Sequence, residues 1–105
     1  MFFLRRISGQ SMMPALRPDM IVVAQVRRKG YESGDIVVFI HDGIEKIKRI
    51  GALRGAPGAE EMFVKGDNMP SSTDSQSFGW LPTQIIRGKI IWTVPISTIL
   101  FRALH

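Results

Sequence analysis

The stretch "GDIVVFIHDGIEKIKRI", residues 34 to 50, decides the fold. Residues 35–40 form a run dominated by β-branched and aromatic side chains, and residues 44–50 form a second run rich in isoleucine. Both fit the pleated, half-buried surface of a strand. Between them stands His41-Asp42-Gly43. Asp-Gly between two such runs predicts a tight hairpin, because both residues tolerate positive φ. The same stretch holds two lysines, Lys46 and Lys48. On a strand they share a face, since side chains alternate. A Lys-Ile-Lys-Arg segment is ordinarily a solvated strand face, yet Ile47 and Ile50 are placed to shield an amine from water.

Outward from this hairpin the pattern stays β. Residues 21–26 are β-branched and end at the basic run Arg27-Arg28-Lys29. Residues 62–65 read as a short strand and residues 85–94 as a long last one. No segment sustains an apolar period of 3.6 residues. Short strands between regular turns predict a mainly β fold, compact and barrel-like. The length of 105 residues predicts one domain, residues 1–105, with no repeat or linker.

Composition narrows the chemistry. The chain is 45% hydrophobic and 22% charged, as a folded globular protein is. The absence of cysteine excludes disulfides, thiol nucleophiles and thiolate metal sites. A net charge of +5 suits an acidic partner, a nucleic acid or an anionic membrane surface without choosing among them. No membrane span is expected. The opening Met1-Phe2-Phe3-Leu4 is interrupted by Arg5 and Arg6, and the apolar residues 90–101 contain Pro95 and fall short of the roughly 20 needed to cross a bilayer. That tail is expected to form a core strand up to residue 93. Beyond Pro95 it becomes a candidate peripheral membrane contact.

A nucleophile is suggested by "SGQSMMPALRPDM", residues 8–20, in which Ser11 stands between permissive Gly9 and rigid Pro14. A serine hydroxyl needs a base. His41, expected in the hairpin turn and in solvent, and His105, the last residue, support a Ser-His-Asp arrangement poorly. The Ser-x-x-Lys pattern, zinc signatures and a calcium loop are all absent, so no metal or cofactor is expected. A lysine remains: burial disfavours its ammonium form and makes it a usable base. The long polar loop at residues 66–79, "GDNMPSSTDSQSFG", carries Ser71, Ser72, Ser75 and Ser77 and is of a length often functional.

Five stretches in this order, "SGQSMMPAL", "GDIVVF", "IKRI", "GAPG" and "GDNMPSSTDSQSFG", resemble the boxes of the type I signal peptidase family. The short form looks most like the proteases that mature nickel superoxide dismutase, and LexA-type self-cleaving repressors share the Ser/Lys core more distantly. The resemblance implies a small signal-peptidase-like β catalytic domain. It implies Ser11 as nucleophile and Lys48, ahead of Lys46, as general base. Ser72 would orient the lysine and Asp74 would brace the loop. The oxyanion donor would be the backbone N–H of Ser11; Gly9 stands where some members carry a second-donor serine. Ile7, Met12 and Ile47 would line a pocket for a small residue just before the cut, with the substrate extended along a strand. Three positions depart from the family pattern. Ala15 replaces a threonine, Ala59 an aspartate and Gln76 an arginine, so Asp74 needs another partner, for which Arg49 is the expectation.

The function expected is therefore a serine endopeptidase with a Ser11/Lys48 dyad, removing a leader or signal peptide from a precursor polypeptide. With ten residues before Ser11, the expectation is cleavage in trans, in the cytoplasm or at a membrane surface. The rivals are a catalytically degenerate interaction protein and a basic β-barrel module for nucleic acid. Against the last, Arg27-Arg28-Lys29 lacks interleaved aromatics beyond Tyr31, and nucleic acid is not the expected partner.

Overall fold

The structure, a computed structural model, describes residues 1–68 and 78–99. Seven strands make one sheet: β1 (Phe2–Arg6), β2 (Met20–Gln25), β3 (Ile36–His41), β4 (Ile44–Arg54), β5 (Glu61–Lys65), β6 (Leu81–Pro82) and β7 (Ile86–Pro95). Every pairing is antiparallel, in the order β1-β2-β7-β3-β4-β5-β6. The fold is mainly β, as the sequence predicts.

The β3–β4 hairpin is the centre of this arrangement. Its register runs from Ile36 opposite Arg49 to His41 opposite Ile44. Asp42 and Gly43 turn at φ of 52° and 74°, the positive values that favour Asp-Gly there. Val37, Val38 and Phe39 are all fully buried, so β3 is covered on both faces. On one face Val37 and Phe39 pack with Ile50, Met62, Val64 and Ile86. A second cluster joins Ile7, Met12, Leu16 and Val22, with Ile36 and Ile47 packed against it. This second cluster fixes the loop between β1 and β2. Burying side chains such as Met12 and Leu16 contributes about 1.5–3 kcal/mol each.

The "GD" box of residues 34–35 locks the start of the hairpin. The Gly34 N–H donates to the Ile50 carbonyl at 2.7 Å, and the Ile50 N–H donates back to the Asp35 carbonyl at 2.8 Å. The Asp35 carboxylate accepts the Glu32 N–H at 2.9 Å and pairs with Lys89 of β7 at 3.2 Å. β7 itself runs between β2 and β3, so strands adjacent in sequence are separated by the last one. Register shifts at Val23/Ala24, Val38/Phe39 and Ile50/Ala52 bend the sheet locally.

Several features depart from the expectations, among them the short β6 and the placing of His41 in β3 instead of the turn. β1, not anticipated, pairs with β2 over five residues. β4 continues past Ile50 to Arg54. Ile85 belongs to a 3-10 turn (Thr83–Ile85) that precedes β7. Past β7, residues 96–99 are helical, and the Ile96 N–H donates to the Asp19 carbonyl at 2.7 Å. Among the described residues no helix is long and apolar enough to cross a membrane.

Candidate active site

The loop after β1 carries Ser11. Ile7 enters it with its N–H on the Met20 carbonyl at 3.0 Å, and two local turns follow, Met13 N–H to the Gln10 carbonyl and Leu16 N–H to the Met12 carbonyl. Buried Ile7, Met12 and Leu16 point into the second core cluster, which leaves Ser11 half-buried at the rim. Gly9 holds φ of 76°, a left-handed conformation that a serine would adopt only with strain.

Asn68 ties this loop to the end of β5. Its backbone N–H donates to the Ser11 carbonyl at 2.8 Å, and its side-chain amide donates to the Gln10 carbonyl at 3.0 Å. Next to it, Asp67 accepts two hydrogen bonds from Arg49, at 2.9 Å from Nε and 2.8 Å from Nη2. Arg49 also donates to the Gly34 carbonyl at 2.8 Å. These bonds hold the Asp67 carboxyl below its ordinary range, burial opposing them, with the Arg49 and Lys65 charges adding to the fall. The Arg49 guanidinium is raised, again first by the Asp67 hydrogen bonds. Among the described residues the carboxylate that Arg49 grips is Asp67; its expected partner, Asp74, lies outside them, as do Ser72 and Gln76. Asp67 and Asn68 were missed as site residues, although the "GDN" box that contains them was in plain view.

Lys48 is only 5% exposed, the one buried charged side chain among the described residues. It stands opposite Val37 in the hairpin register, and Lys46 stands opposite Phe39, so the two lysines do share a face. Their environments differ. Lys46 is half-buried, with Nζ 3.3 Å from His41 Nδ1 and 4.7 Å from the Phe78 ring centre. His41 was expected in solvent; its side chain is 21% exposed and its ring rests on Phe78 at 4.7 Å. A cleft of about 320 Å³ brings the key residues together: Ser11 and Lys48 line it, with Ile7, Met12 and Ile47 beside them. Arg5 and Glu45 stand in the same wall, joined at 2.6 Å.

The sequence that builds this site has counterparts among known proteins. Residues 1–56, which span the Ser11 loop, the hairpin and Lys48, match the family model described as Peptidase S24-like. The chain belongs to this signal-peptidase-like peptidase family. It is 30% identical to mitochondrial inner membrane protease subunit 1 of Homo sapiens, over 86% of this chain and 68% of that protein. It is 28% identical to mitochondrial ATP-independent inner membrane protease subunit 1b of Arabidopsis thaliana, over 90% of this chain and 58% of that protein. The Mus musculus subunit 1 is 29% identical, over 83% and 66%. The chain thus spans about three-fifths to two-thirds of the relatives it matches.

Proposed function

We propose that the chain is a serine endopeptidase in which Ser11 attacks, Lys48 moves the proton, and a leader segment is cut from a precursor polypeptide. The observation that carries this reading is the cleft that Ser11 shares with buried Lys48. Burial disfavours an ammonium, which is the direction a general base requires. A small residue before the cut rests on Ile7, Met12 and Ile47. Ser11 Oγ attacks its carbonyl carbon and gives its proton to Lys48 Nζ. The oxyanion that forms is held by the Ser11 N–H. The C–N bond then breaks, and the departing amine takes the proton from Lys48. Water, deprotonated by Lys48, attacks the ester carbonyl; the C–Oγ bond breaks, Ser11 Oγ takes the proton back from Lys48, and the leader leaves as a carboxylic acid. Gly9 brings no side-chain donor, so the Ser11 N–H carries the oxyanion; one such donor is worth about 2.7–4 kcal/mol. Ser72 and Asp74 keep the supporting roles that the resemblance assigns.

Incubation with candidate precursors, the cut located by mass spectrometry, tests this reading. Ser11→Ala abolishes cleavage with little change in melting temperature. Lys48→Arg is inactive because arginine stays protonated, and Lys46→Ala keeps most activity. Activity rises with pH as Lys48 loses its proton. Full activity in Ser11→Ala, or the opposite ranking of the two lysines, would sink the assignment.

The site also operates at a membrane surface in this reading. Leu4, Val23 and Trp92 occupy successive register positions across β1, β2 and β7, and so share a sheet face. Leu4 is 60% and Trp92 66% exposed. Relatives named as inner membrane proteases support this placement.

A further inference from the structure

A second, larger groove of about 840 Å³ lies beyond the catalytic cleft. Arg5 and Glu45 line both, so their ion pair stands at the junction between them. The groove has an apolar lining from Phe3, Val26, Ile40 and Ile86. Arg28 and Arg87 add exposed guanidinia that make no hydrogen bond or ion pair among the described residues. Phe3 is fixed in place. An added Cβ on Gly88 would come within 2.8 Å of its ring, and Arg5 stacks on that ring at 4.7 Å. The groove, the junction pair and the cleft are therefore physically linked.

We infer that this groove binds the remote part of the leader, selecting an apolar residue next to acidic ones several positions before the cut. The inference rests on the peptidase reading. In that reading the residue before the cut sits on Ile7, Met12 and Ile47, so the leader continues from there towards Arg5 and Glu45. Extended chain advances about 3.3 Å per residue, so the leader reaches the junction, which stands in the wall of the cleft itself, a few residues before the cut. Apolar lining and unpaired arginines are complementary to an apolar-acidic segment and repel a basic one. The Arg5–Glu45 pair, joined at 2.6 Å and 45% and 35% exposed, is accessible enough to open and re-pair with a passing chain.

The test uses the full chain carrying Ser11→Ala and three fluorescein-labelled peptides with the same residues across the cut. One stops four residues before the cut. The second extends further with a leucine and two glutamates, and the third replaces those glutamates by lysines. By fluorescence anisotropy the acidic peptide binds about two- to ten-fold more tightly than the truncated one, the scale of two exposed charge contacts. The lysine peptide shows no such gain. The double variant Arg28→Glu/Arg87→Glu reverses this order. With Ser11 present the same preference shows in KM while kcat holds. Equal binding of truncated and acidic peptides overturns the inference. So does a charge-reversed protein that keeps the peptide order but loses binding to phosphatidylserine vesicles, since the arginines would then face lipid. Failure to cleave any peptide defeats the peptidase reading separately, because the anisotropy order needs no catalysis.

Discussion

Among single residues, Asp67 has the most consequence for its size. It anchors the segment whose next residue, Asn68, holds the backbone of Ser11 and Gln10. Its carboxyl is depressed in the folded chain, so the stability it contributes is present above the unfolded value and lost as pH falls through the folded one. That places the loss below about pH 4, the ordinary aspartate range. Asp67→Asn removes the charge and one Arg49 partner while keeping the shape. With the pair mostly buried, at 30% and 17% side-chain exposure, the variant is expected to lose about 1–3 kcal/mol at pH 7. Its melting temperature then falls less steeply than the wild type's between pH 5 and pH 3. An unchanged melting temperature at pH 7 would show that the pair contributes nothing. The proposed preference for Lys48 over Lys46 came only from the family resemblance, since alternation puts both on one face; what the sequence did not show is that, of the two, Lys48 alone is buried. The Arg49 partner was not legible, because composition cannot rank carboxylates. Register can: Arg49 faces Lys65, which brings the residues just beyond β5 within reach of the guanidinium.

At the scale of elements, β1 is the piece that the sequence concealed. "FFLRR" puts arginines on both faces and leaves Phe2 and Leu4 exposed, so no period-2 pattern emerges. What makes it a strand is its partner β2, together with the seat that β7 offers to Phe3. Gly88 provides that seat: a Cβ there would stand 2.8 Å from the Phe3 ring and 3.0 Å from the Gln25 carbonyl oxygen. Gly88→Ala is therefore expected to lose about 1–3 kcal/mol, the usual cost of overpacking. The variant would raise hydrogen exchange in β1 before it affects β3 and β4. Uniform exchange at wild-type rates would show that β1 does not depend on this seat. The turn of the β3–β4 hairpin, in contrast, was legible, because Asp-Gly carries its own backbone conformation, while the far end of β4 was not. The position of β7 between β2 and β3 was not legible, since local pattern says nothing about which distant strand fills a gap.

At the scale of the whole molecule, the proposed membrane contact turns on where apolar surface lies exposed. The tail beyond Pro95 was the sequence-based expectation, and most of it falls outside the described residues, 100–105 included. Residues 91–95 are strand, paired along β2 and beyond the reach of β3, and Ile91 and Trp92 are 47% and 66% exposed. Trp92 shares its face with Leu4, and Phe2 continues the row along β1. A tryptophan with aliphatic neighbours suits the boundary between headgroups and acyl chains. The net charge of +5 adds attraction to anionic lipid, about 1 kcal/mol for each basic residue near the surface. Leu4→Ser/Trp92→Ser removes apolar groups already in solvent, so the fold should hold, while partition to the bilayer falls at least about ten-fold, on the scale of 1.5–3 kcal/mol per buried apolar side chain. Cosedimentation with phosphatidylserine vesicles at low salt measures it. A chain ending at residue 99 serves as the second arm and should still pellet. If that truncation abolishes binding and the double variant does not, the tail is the docking piece. If the full chain itself stays in the supernatant, the peptidase meets its precursor away from lipid.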